Sequence, residues 1–359
     1  MIAAVRRALD ALRGEGDHSV TVPPMDWALN PNNALEEAPV VASAEAPDNL
    51  CLFGNRLLFA TGAEIRAIEG EAGPALMSLD AAVTSLAAEG GALAVALASG
   101  KIVIRGGAHD GAEFASLAGR PLGCVTALAF DGPDSLLICV GSETHPLQRW
   151  KHDLMQLGCS GSVWRADLRT GALASLAQKL GFPFGVPPVR GGASVAESWR
   201  HRLVLLRDGR PPEPVLFDLP AYPARLSRAA DGGAWLALFA PRRQLTEFIL
   251  REPRYRECMM AEIAPEYWVR PTLAPMASFL QPFAGRHTQE AGGHQTLAPS
   301  RSYGMVAKLD AEWQPVASFH SRADGSRHGV MCALERQGRL YAASQGARAV
   351  VAIDFAREA

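Results

Sequence analysis

The chain has 359 residues, with 35 Lys+Arg against 37 Asp+Glu and 48% hydrophobic content, enough to bury a large core and to exclude a disordered protein. A net charge of −2 leaves no basic footprint for nucleic acid and no polybasic stretch for an anionic membrane. The lysines are Lys101, Lys151, Lys179 and Lys308 alone, too few to favour Schiff-base chemistry, and 34 Gly with 25 Pro imply many turns.

At the start, Val5, Leu9 and Leu12 recur at helical spacing among Arg6, Arg7, Asp10 and Arg13, which predicts a short amphipathic helix ended by Gly14 and Gly16. The charges interrupt any secretory apolar run, and later stretches such as Ala234 to Ala240 fall short of a bilayer span. The chain is therefore expected to be soluble and cytoplasmic. Its six cysteines lack a C-x-x-C pair and read as reduced, mostly buried thiols.

From about residue 50 the period changes. Leu50-Cys51-Leu52-Phe53, the turn Gly54-Asn55, and Leu57-Leu58-Phe59-Ala60 form an apolar run, a turn and a second run. The phrase returns near 83 to 97, 125 to 140, 186 to 197, 226 to 239 and 330 to 343, often followed by a third strand such as Lys101 to Arg105. A four-stranded meander cannot cover both of its faces alone, whereas six arranged radially cover one another. The expected fold is all-β, a six-bladed β-propeller over 46–359 preceded by a helix and extended lead-in over 1–45. The last interval is too long for one blade. Thr246 to Leu250 and Tyr255 to Ile263 look helical, and 264–300 is rich in Pro, Gly and His, so 242–300 is expected to be a partly helical cap over the axial mouth.

Gly161 to Gly171, Gly181-Phe182-Pro183-Phe184-Gly185-Val186, Val195-Ala196-Glu197-Ser198 with Arg202, Leu219-Pro220-Ala221-Tyr222-Pro223, Gly232 to Ala237 and Gly338 to Ser344 resemble strictosidine-synthase-like proteins, in the same order. Ala46-Pro47-Asp48-Asn49 stands where that family often has Gly-Pro-Glu-Asp. The resemblance covers roughly the last four blades. It implies a six-bladed propeller with a site at its axial mouth, in a group that includes an amine-condensing plant enzyme, arylesterase-like proteins and, more distantly, calcium-dependent lactonases. Three positions depart from the pattern: Phe184 replaces an Asn of metal-ligand type, Arg225 ends a Tyr-Pro-Asp-Asn phrase, and Cys332 falls on the condensing glutamate. Phe offers a hard cation no oxygen, and Arg repels one, so no metal is expected.

The densest polar run is His320-Ser321-Arg322-Ala323-Asp324-Gly325-Ser326-Arg327-His328-Gly329, just before the inner strand of the last blade. Placed at the axial mouth, it would make His328 a general base oriented by Asp324, with Cys332 as nucleophile or pocket wall and Arg225, Arg322 and Arg327 holding a carboxylate or developing oxyanion. Asp48, Asn49, His145 and Trp150 complete the expected substrate contacts, the last two lying where relatives place pocket walls. Glu197 with Arg202 reads as a structural bridge between strands, and His287, Glu290 and His294 as part of a flexible Gly-rich loop. Neither a phosphate-cradling Gly loop nor a G-x-S-x-G elbow is present, and no cofactor is expected. The expected function is metal-independent hydrolysis of an ester or lactone, on a small polar or anionic molecule. A non-catalytic ligand- or protein-binding propeller and an amine-condensing lyase stand as the alternatives.

Overall fold

The computed structural model describes residues 21–68, 75–275 and 302–355, with the backbone of 287–290 and 293–296; the expected helix near the start lies outside them. Six blades surround one axis. Their innermost strands are Asp48–Phe53, Val83–Glu89, Val125–Phe130, Pro183–Gly185 continued by Pro188–Val189, Ala221–Arg228 and Val330–Arg336. Prolines split the fourth of these, because they cannot donate to the ladder. The sixth blade is completed by the first strand of the fold: Val40–Ser43 pairs antiparallel with Ala349–Ile353, so the two ends of the chain close the ring in one sheet.

Period-two alternation explains how the blades stack. In Ser135–Val140, Leu136, Ile138 and Val140 pack toward the second blade, while Leu137 and Cys139 pack toward the fourth. Second strands are therefore apolar on both faces, and Ala92–Leu97 and Ala234–Pro241 are buried at every residue. Outer strands such as Ala75–Ser78 are largely exposed. Close approach near the axis demands small residues: a Cβ on Gly185 would lie 2.7 Å from the Leu226 amide of the next blade.

Each innermost strand also loses register with its neighbour within a few residues of its start. The breaks fall between Asp48 and Cys51, Val83 and Ser85, Val125 and Ala127, Pro183 and Gly185, Tyr222 and Leu226, and Val330 and Cys332. Such an extra residue takes a peptide group out of the ladder and re-aims side chains. Here all six breaks cluster at one end of the axis.

Among the described residues there are four short α-helices: α1 (Ala34–Glu37), α2 (Trp150–Met155), α3 (Gln244–Arg251) and α4 (Pro253–Glu262). The last two occupy the insertion between strands Ala234–Pro241 and Met305–Leu309 of the fifth blade, where Leu238 pairs with Met305. Ile249, Leu250, Met259 and Trp268 bury into the same core as Trp235 and Phe239. No helix among the described residues is long and apolar enough to cross a membrane.

Candidate functional site at the propeller axis

Arg225 reaches across the axis from the fifth blade. Its Nε and Nη2 donate to Asp48 Oδ1 and Oδ2 of the first blade, each at 3.0 Å. Nη2 also donates to the Thr84 carbonyl at 2.9 Å, and Nη1 to the Thr126 carbonyl. Both carbonyls sit at register breaks of their strands, which is why they are free to face inward. The Phe184 ring of the fourth blade lies 5.0 Å from the guanidinium carbon. This pair separates two cavities: Asp48 lines one of about 190 Å³ on the side where the innermost strands begin, and Arg225 lines one of about 580 Å³ on the opposite side.

The smaller cavity has aromatic walls. Trp199 stacks on Phe182 with centroids 4.5 Å apart, and Trp150 meets Phe239 edge-on at 5.8 Å. Trp199 is held by the buried carboxylate of Asp153, which accepts its indole N–H at 2.7 Å and the Ser142 hydroxyl at 2.6 Å. Gln148, Gln345 and Thr84 add polar groups. The Thr84 side chain is 4% exposed, yet its hydroxyl has no hydrogen-bond partner. Buried polar groups are normally paired, so this hydroxyl, enclosed beside the cavity, is an exception.

Of the expected site residues, the structure brings Asp48 and Trp150 to the wall of this cavity, while Arg225 holds Asp48 from the far side. Asn49 lies beside them but is spent on architecture: its amide donates to the Thr84 carbonyl and its carbonyl accepts from Leu86 N–H, each at 3.3 Å. The polar loop after His320 turns elsewhere. Glu36 of α1 accepts the backbone N–H groups of Ser326 and Arg327, at 2.9 and 3.1 Å. Burial would raise the Glu36 carboxyl, but these donors outweigh it and hold it below its ordinary range. His328 is buried, with Nδ1 on Ser302 Oγ at 2.6 Å and Nε2 on the Arg322 carbonyl at 2.8 Å, so both ring nitrogens are occupied. Asp324 does not orient it; the carboxylate is 81% exposed and pairs with Arg322 at 3.3 Å.

Arg322 and Arg327 do not line the cavity, nor does His145, whose ring meets Gln156 at 2.7 Å. Cys332 is buried on the other side of the axial pair, where its sulfur accepts the Leu50 N–H at 3.3 Å. Burial, helped by the nearby Asp48 carboxylate, pushes its thiol well above the ordinary range, which deprives it of nucleophilic character. Phe182, Trp199, Phe239, Met331 and Thr84 were not expected as wall residues. Their signal in the sequence is that of apolar or small residues in or beside β-runs, which packing explains equally well.

The buried histidines carry a pH expectation. Burial lowers His320 to about 4 and also lowers His328. A group with a lowered folded-state pKa binds fewer protons when folded, so its stability contribution is complete above about pH 6.5 and is lost as pH falls toward the folded value. The urea midpoint should therefore drop between pH 7 and pH 4.5. In His320→Gln the slope should flatten.

The fold and the site together define a six-bladed propeller with an aromatic-walled cavity at its axis. No protein-family model and no curated protein matches the sequence. Solved structures do: a candidate gluconolactonase superposes with a TM-score of 0.53 at 11% identity, over 88% of this chain and 91% of its own. A gluconolactonase from Xanthomonas campestris gives 0.54 at 13% identity, over 88% and 87%. At these identities the shared property is the fold. The calcium that the resemblance to lactonases implies does not fit the residues present, since Phe184 supplies no oxygen and Arg225 delivers a positive charge to the axis. Among the described residues, no group of three or more His, Cys, Asp or Glu side chains is placed to hold a metal.

Proposed function

We propose that the chain binds a small molecule in the axial cavity, with a flat apolar body between Trp150, Trp199, Phe182 and Phe239 and a polar end at the Thr84 hydroxyl. The aromatic walls of the cavity, with Gln148 and Gln345 among them and the unpartnered Thr84 hydroxyl buried beside it, carry this reading. A volume of about 190 Å³ suits one or two fused rings, given that a 150 Å³ apolar cavity takes benzene. The stretch Gly181 to Val186, which resembles strictosidine-synthase-like proteins, supports the same placement, because Phe182 forms part of the wall, as does Phe184 where that family has Asn. The arginines once expected to clamp an anion stand outside it, so the ligand is polar at one end rather than highly charged.

Hydrolysis of an ester or lactone is the second reading, and Asp48 favours it. Its carboxylate lines the cavity beside the Arg225 guanidinium. In this scheme Asp48 takes a proton from water, the water oxygen attacks the ligand carbonyl, and the acyl C–O bond breaks to release an alcohol that regains the proton. The gluconolactonase-like fold supports this reading without supplying its residues.

A thermal-shift screen with single- and two-ring aromatic esters, lactones and amides tests binding. Trp199→Ala should weaken a hit about 30-fold, as expected for an aromatic anchor. Thr84→Val should weaken it about tenfold while leaving the free protein as stable or slightly more so, because an unpaired hydroxyl is removed. Hits whose affinity ignores both substitutions would place the ligand elsewhere. If turnover is found, His328→Gln should leave it within about twofold; a fall of about 100-fold would return the proton transfer to the imidazole.

A further inference from the structure

We infer that the Arg225 guanidinium is the resident cation of the propeller axis, occupying an oxygen cage that would otherwise suit a divalent metal ion. The cage is built from three blades. Asp48 contributes both carboxylate oxygens, and Thr84 and Thr126 contribute main-chain carbonyls released by the register breaks of their strands. Carboxylate and carbonyl oxygens converging on one point are the ligand chemistry of a hard cation. Three nitrogens of one side chain instead satisfy all four oxygens, in the paired geometry that a guanidinium offers a carboxylate. The cation is covalently tethered to the fifth blade and backed by the Phe184 ring, which has no oxygen to give. It cannot be lost to a chelator, and it links the first, second, third and fifth blades whatever ligand sits above.

The consequence is specific. A metal and the guanidinium compete for one place, so the axis of this chain is closed to divalent ions until Arg225 is shortened. Arg225→Asn would empty the centre and leave its four oxygens open to a cation, with solvent completing the six to eight that calcium takes.

The test compares the intact chain with two variants, by calcium titration calorimetry and thermal shift after exhaustive chelation. The wild-type chain should take up no calcium, and its melting temperature should move by less than about 1 °C between EDTA and about 10 mM calcium. Arg225→Asn should melt lower in EDTA and recover by about 5 °C in calcium, the size expected for a site of about 0.1 mM affinity. Arg225→Lys keeps a tethered charge and should ignore calcium as the wild type does. One tightly held calcium in the wild type, or a fall in its melting temperature on chelation, would overturn the inference. So would a folded Arg225→Asn chain that is indifferent to calcium. Should that variant not fold, the wild-type and Arg225→Lys titrations decide between the outcomes.

Discussion

Asp48→Asn is expected to destabilise the chain by about 3 kcal/mol or more, the usual result of removing one partner from a buried ion pair. The side chains of Arg225 and Asp48 are only 10% and 15% exposed, so the guanidinium would be left charged in a poorly hydrated centre with two carbonyls for company. Urea unfolding followed by tryptophan fluorescence measures the loss. The companion Arg225→Met is expected to cost a similar amount, whereas the double variant should recover much of it, because neither charge is then stranded. A cycle in which the two losses simply add would show that the pair is not coupled across the axis.

Removing residues up to 45 is expected to be more damaging still. It takes away Val40–Ser43, which covers the edge of Ala349–Ile353, a strand buried at every residue. It also removes Leu35, which is fully buried in the core, and Glu36, which holds the loop before the sixth blade. An apolar strand with an unpaired edge is a template for pairing with another chain. The truncated protein should elute as aggregates or edge-paired oligomers and lose about 5 °C or more in melting temperature, roughly the scale of a few kcal/mol in a chain of this size. A monomer with an unchanged melting profile would show that ring closure contributes little.

The blades were legible because each repeat writes its own pattern. The apolar runs starting near 50, 83, 125 and 330 coincide with innermost strands, those near 186 and 226 begin several residues after the starts of their strands at Pro183 and Ala221, and both helices of the insertion fall where Thr246 to Leu250 and Tyr255 to Ile263 suggested. Glu197 and Arg202 bridge paired strands as expected, with Nε to Oε2 at 2.5 Å. The site was harder to read because its location depends on contacts between distant segments. Nothing near His328 in sequence announces Ser302 or Glu36, which decide where its ring and its loop are held. Local density of polar residues was a poor guide for the same reason: Asp324 and Arg322 satisfy each other at the surface. Arg225 was noticed as a charge at an altered position, but that it would find a carboxylate and two carbonyls required knowing that strand starts from three other blades converge on it. The register breaks that free those carbonyls have no residue signature of their own.

The insertion in the fifth blade leaves the ring after Pro241 and returns at Met305, and the strands at its two ends are already hydrogen-bonded neighbours, with Leu238 facing Met305. Its endpoints are thus fixed by the sheet whatever lies between them, and closing a longer or shorter segment over that gap changes the entropy only by about 0.6 kcal/mol for each doubling of length. Yet Leu273 from this segment reaches the wall of the axial cavity. Ile249, Leu250, Met259 and Trp268 tie the helical part of the insertion to the core, so what can change at small thermodynamic expense to the ring is the length of the segment beyond them, which also alters the shape of the space in which a ligand must fit. Differences in ligand preference among chains of this architecture should accumulate there first, ahead of any change in the blades.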